Sequence, residues 1–174
     1  LASIYRLENQ FEKAEAMYKE SMKIYESTAG VNSTLYSAGR NNLGLLYLGW
    51  KKYDLAEKEF EAARESIKDQ VDNIEDQTTG FINLGALYVE TGKYEKAEEY
   101  LKKACLNYEN TLGTRNQHYQ LALNSLAIAL AKQGKLDEAD IAFEKALQEI
   151  EKMFGKNHPT YKSVKDAKEL FLKW

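Results

Sequence analysis

Residues 84–98 read LGALYVETGKYEKAE. Near-copies occupy 1–15 (LASIYRLENQFEKAE), 43–57 (LGLLYLGWKKYDLAE) and 126–140 (LAIALAKQGKLDEAD), so successive starts lie 42, 41 and 42 residues apart. A period of this size marks an array of like supersecondary units, because one small unit cannot bury its own apolar face.

Aligned, the copies give columns with physical meaning. The first segment carries Leu1/Leu43/Leu84/Leu126, then a small residue (Ala2/Gly44/Gly85/Ala127), then Tyr5/Tyr47/Tyr88/Leu130. These offsets fall on one face of a helix, and the small residue admits a neighbouring helix at close range. Asn9, Lys51, Gly92 and Gly134 follow, a position suited to the left-handed conformation that ends helices, with Lys51 the exception.

A second segment starts with an acidic residue in its first turn (Glu12, Asp54, Glu95, Asp137), where a carboxylate favours the helix N-terminus. It carries alanine in every copy (Ala14/Ala56/Ala97/Ala139), then Tyr18/Phe60/Leu101/Phe143 four residues on. Ser21/Ala63/Ala104/Ala146 and Tyr25/Ile67/Tyr108/Ile150 complete an amphipathic stripe. The spacing predicts helices at 1–8, 11–28, 33–50, 53–70, 73–91, 94–112, 116–133, 136–154 and 159–173, an all-α solenoid without strands.

Composition agrees with a soluble, folded helical array. Of 174 residues 44% are hydrophobic and 29% charged, and a single proline leaves long helices uninterrupted. A net charge of −3 with mixed signs offers no basic face, so nucleic acid is not an expected partner. The acidic stretch DQVDNIED (69–76) reads as a solvated turn between helices. No run approaches the length of a membrane span and no signal peptide is visible, which sets the expectation of a cytoplasmic chain without membrane contact. Lone Cys105 excludes an intrachain disulfide; its column also holds Met22, Arg64 and Leu147, so it reads as a packing residue. H-E-x-x-H, Walker and G-x-G-x-x-G patterns are absent, and His118 and His158 lie in different junctions without cysteine partners. Neither enzymatic activity nor a metal or other cofactor is expected.

The columns resemble the tetratricopeptide repeat, with its L-G, Y, G-x-Y, A, F and A positions. The usual unit is about 34 residues; the longer unit here is similar to the kinesin light chain subtype, with its L-G-x-x-H-P joints and L-N-N-L-A helices. FGKNHPTY (154–161), LGTRNQHY (112–119), RNNLG (40–44), FINLG (81–85) and LNSLA (123–127) carry that likeness. It implies a right-handed solenoid over 1–174, a single domain: a truncated repeat at 1–30, repeats at 31–71, 72–113 and 114–155, and a capping helix at 156–174. The first copy lacks the residues that precede the leucine elsewhere, which suggests a piece of a longer protein. At the other end Pro159 suits a helix start, Val164, Ala167, Phe171 and Trp174 form a stripe, and Lys168 and Glu169 replace the Leu-small pair, as in a cap.

In such arrays the first helices line a concave groove that holds a peptide. The residues opposite the core columns Arg40/Phe81/Leu123 are Ala38, Asn42, Leu45 and Gly49 in the second copy. Thr79, Asn83, Ala86 and Glu90 take that place in the third, and Leu121, Ser125, Ile128 and Lys132 in the fourth, with Asn41 and Asn124 at the edge. Asparagine offers donors and an acceptor to a peptide backbone, the role groove asparagines have in the resembled family; alternatively these amides bond one another between repeats. Lysines of a carboxylate clamp would stand at Ala38, Thr79 and Leu121, so an acidic chaperone tail is not an expected ligand. Trp50 breaks a polar column and is either a contact hot spot or a cover for the turn at Lys51–Lys52. The function expected is a noncatalytic scaffold that binds a peptide or partner protein; a peptide-sensing regulatory domain and a structural or oligomerising spacer are the alternatives.

Overall fold

The computed structural model of the chain describes residues 2–8, 10–70 and 72–172. Column members Leu1 and Asn9, and Trp174 of the terminal stripe, lie outside the described residues. Nine α-helices are formed, among described residues without any strand: α1 (Ala2–Leu7), α2 (Phe11–Ala29), α3 (Thr34–Gly49), α4 (Tyr53–Ser66), α5 (Ile74–Glu90), α6 (Tyr94–Asn107), α7 (Gln117–Lys132), α8 (Leu136–Phe154) and α9 (Pro159–Leu172). They group into two compact units, 1–87 and 88–174, with α5 running through the boundary.

In the first unit α3 packs against α2 and α4. The repeat columns are its core: Ala14, Ala56, Phe60, Ala63 and Leu46 are fully buried, and Leu43 and Tyr47 nearly so. Side chains four residues apart stack on one helix face, so the alanine column lets helices approach while the next turn's aromatic fills the gap beside it. The same logic builds the second unit, where α7 packs against α6 and α8, and α9 against α8 and α7. Ala97, Leu101, Ala139, Phe143 and Ala146 are fully buried there.

Each first helix of a pair ends in the same hydrogen bond. The amides of Gln10, Lys52, Lys93 and Lys135 donate to the carbonyls of Tyr5, Tyr47, Tyr88 and Leu130, at 2.8, 2.8, 2.8 and 3.0 Å. This six-to-one closure requires a left-handed residue just before the donor. Lys51 adopts it at φ 59°, beside Gly92 at 72° and Gly134 at 77°. An L side chain in that region costs about 1–2 kcal/mol. Lys51→Gly is therefore expected to raise stability by about 0.5–1 kcal/mol, part of the gain being offset by glycine's freer unfolded chain. Urea midpoints would show it, with Gly134→Ala moving the opposite way.

Trp50 covers that turn. Its ring stacks on Phe11 with centroids 5.4 Å apart and planes at 15°, and the Lys52 ammonium lies 3.1 Å above it. Aromatic stacking plus a cation on the ring face holds the start of α2 against the end of α3.

Two second helices depart from the predicted bounds. α4 stops at Ser66 instead of 70, because the Ala63 carbonyl that would receive the Ile67 amide accepts the hydroxyls of Ser37, at 3.0 Å, and Ser66, at 2.7 Å. The Ile67 amide turns to Arg64 at 3.3 Å, and the helix tightens and ends. The stretch predicted as 94–112 is α6 followed by a π-turn (Tyr108–Leu112) closed by the Gly113 amide on the Tyr108 carbonyl at 2.8 Å. The acidic stretch from 69 to 76 divides: Glu75 and Asp76 enter the first turn of α5 and Asp72 is exposed before it.

Charge ties the second unit together at the turn between α7 and α8. Glu98 of α6 accepts from Lys102 at 2.7 Å, Lys135 at 2.7 Å and Gln133 at 2.9 Å. Desolvation raises its pKa, but the three donors outweigh it and hold the carboxyl at about 2, against an ordinary 4.5. A carboxylate depressed in the folded state stabilises fully above its unfolded value, and that contribution is lost as pH falls from about 4.5 towards 2. Glu98→Gln is expected to flatten the fall in stability across that window, read as urea midpoints at about pH 5 and about pH 2.5.

Candidate partner-binding face

The face opposite the core columns is solvated in each unit. In the first, Asn42 is exposed and Leu45 half-buried on α3, while Thr79, Asn83 and Ala86 are half-buried on α5. In the second, Glu90 is exposed at the end of α5, and on α7 Ser125 and Ile128 are half-buried and Lys132 exposed. None of these positions belongs to the buried apolar core.

The asparagines divide by what they already bond. Asn41 is 8% exposed, and its Oδ1 accepts from Asn83 Nδ2 at 3.1 Å, 42 residues away. This is the amide-to-amide arrangement between repeats, and it makes Asn41 a link between α3 and α5. Asn42, one residue on, points to solvent. Thr79 returns its hydroxyl to the Glu75 carbonyl at 3.0 Å. In the second unit Asn124 is half-buried, and its Oδ1 is buried without a hydrogen-bond partner. The Lys132 ammonium lies 5.0 Å from the Phe171 ring centroid, engaged with the last helix.

Two features were missed in the sequence columns. Arg40, in a column that otherwise holds Phe81 and Leu123, donates to Glu59 and to the Tyr36 hydroxyl, both at 2.6 Å. Glu59 itself breaks a column of Met17, Tyr100 and Ala142, so paired exceptions in two apolar columns were the signal. Gln120 is 3% exposed at a column that holds Ser37 and Thr78, polar in each copy. It stands one helical turn before Asn124.

Burial pushes the Cys105 thiol up to about 12, which keeps it a protonated packing group. His118 is exposed, and His158 stacks on Phe154 with ring centroids 4.5 Å apart. Among the described residues no cluster of histidine, cysteine and carboxylate side chains could hold a metal ion, and no helix is long and apolar enough to cross a membrane.

Known proteins place this geometry. The family model for the tetratricopeptide repeat matches residues 1–69 and 76–148. No curated protein matches the chain. Among solved structures, a putative kinesin light chain from Podosopora anserina with nearly identical TPR-like repeats is 17% identical, with a TM-score of 0.82 over 98% of this chain and 82% of that one. Its Q17M form gives 0.83 at the same identity, over 98% and 81%. BtubC (BKLC) from P. vanneervenii is 21% identical with a TM-score of 0.78, over 91% of this chain. The chain spans 63% of the length of that relative. At these identities the likeness is one of fold: all-α repeats of the kinesin light chain type.

Proposed function

The chain belongs to the tetratricopeptide repeat family, and from that premise we propose that it is a noncatalytic interaction scaffold whose first helices hold a peptide or an extended segment of a partner protein. Such repeats are in general protein-interaction modules. The observation that carries the reading is the unspent state of the first-helix face. Asn42 is exposed beside the half-buried Leu45, and Ala86 leaves room on α5. An amide flanked by small and apolar side chains can bond a peptide backbone while the partner's side chains lie on the apolar surface. Asn41 and Asn83 serve this face by fixing α3 to α5 through one hydrogen bond, which leaves the Asn83 Oδ1 for a partner.

The test substitutes positions that carry no structural bond. An Asn42→Arg/Ala86→Arg variant is compared with the parent and with Glu26→Lys, an exposed change on α2, all at matched thermal stability. Proteins captured from source-cell lysate by the parent and by Glu26→Lys should fall at least about tenfold in the double variant, a loss of about 1.4 kcal/mol or more. Equal capture by all three would overturn the reading and move attention to the second-helix surfaces.

A further inference from the structure

α7, α9 and the end of α8 line an open cavity of about 350 Å3 in the second unit. Its polar lining is Gln117, Gln120, Asn124, Thr160 and Ser163, with Leu121, Phe154 and Val164 as apolar walls, and no charged side chain takes part. Two amides in it, buried Gln120 and half-buried Asn124, are poorly served. Gln120 donates to Met153 Sδ at 2.8 Å, a weak acceptor, and Asn124 Oδ1 accepts nothing. A buried acceptor without a donor is costly, so its presence calls for a cause.

Comparison of the copies supplies the cause. Asn124 occupies the column of Asn41, whose oxygen is satisfied by Asn83, one column further on in the following helix pair. Gly113 and Tyr119 recur as Gly155 and Tyr161, which sets the α7-to-α9 register at 42 residues. The position equivalent to Asn83 is then Ala167, half-buried on the helical face that continues Thr160, Ser163 and Val164. Alanine has nothing to donate. α9 thus packs on α7 without supplying the amide that α5 supplies to Asn41.

We propose that this cavity binds a neutral carboxamide. The group it suits is uncharged, because the lining offers no counter-charge to offset the partial desolvation of an ion. It must donate to Asn124 Oδ1, and it gains by accepting from the Thr160 or Ser163 hydroxyls; a carboxamide does both. The group is carried either by an asparagine or glutamine side chain or by the main chain of the partner. The inference deepens the scaffold reading and rests on it for the nature of the partner, but the cavity is tested without one.

The full chain, labelled with 15N, is titrated separately with propionamide, N-methylacetamide and sodium propionate, following the side-chain amide signals of Gln120 and Asn124. Saturable shifts with propionamide alone assign the site to a side-chain amide, and with N-methylacetamide alone to main chain; saturation by both supports the shared group. Propionate is expected to give none. Ala167→Asn, which rebuilds the missing donor, should raise the midpoint at least tenfold while the fold is retained in the backbone spectrum. Ser163→Ala, an exposed change, should weaken binding severalfold. Absence of saturation with both amides, equal shifts with propionate, or an unchanged midpoint in Ala167→Asn each overturns the proposal. Loss of partner capture in Asn42→Arg/Ala86→Arg reports on the face, and the amide titration reports on the cavity, so failure of one is told apart from failure of the other.

Discussion

Gly44→Ala is expected to destabilise the chain by about 1–3 kcal/mol, the range for forcing extra volume into a close-packed core. A Cβ built on Gly44 would stand 2.5 Å from both Cδ1 and Cε1 of Phe60 and 3.0 Å from Cζ. Phe60 is fully buried, so its ring has nowhere to retreat without moving α4 away from α3. Copy four carries Ala127, fully buried, at this column, so the limit lies in the local approach of α3 to the Phe60 ring and not in the column itself. A compensating change follows from copy three, which pairs a glycine at this column with Leu101 in place of the phenylalanine. Gly44→Ala/Phe60→Leu should therefore recover part of the loss, and the two changes should couple strongly in a double-mutant cycle. Simple additivity would show that the crowding is relieved elsewhere.

Glu59→Ala is expected to cost about 2–3 kcal/mol, because it strands the Arg40 guanidinium in a core column. Arg40 and Glu59 side chains are 26% and 11% exposed, so the figure is set below that for a fully buried pair. Arg40 would keep only the Tyr36 hydroxyl at 2.6 Å, and its Nε is already buried without a partner. Replacing both charges by the residues of copy three, Arg40→Phe/Glu59→Tyr, should fall within about 1.5 kcal/mol of the parent, since apolar replacement of an ion pair is often neutral or stabilising. Equilibrium urea unfolding separates these outcomes. A double variant as unstable as Glu59→Ala would mean that the ion pair fixes the geometry of α3 on α4 as well as satisfying its own charges.

Helix identity, helix order and the glycine stops of α5 and α7 were legible from residues 84–98 and their copies, because they depend on local periodicity and on which residues tolerate the left-handed region. The exposure of Asn42, the burial of the four alanines and the packing role of Cys105 follow from the same 100°-per-residue geometry. What the tertiary structure decided involves bonds between residues far apart in the chain. At the end of α4 the Ala63 carbonyl accepts both from the nearby Ser66 and from Ser37, 26 residues before it, so the Ile67 amide turns to Arg64. Asn41 is spent on Asn83, while Asn124, identical in column and in residue type, is left with an unanswered oxygen. Column membership specifies which face a side chain occupies, but a hydrogen bond needs a second group at a set distance and angle on another helix, and only the packed array supplies it.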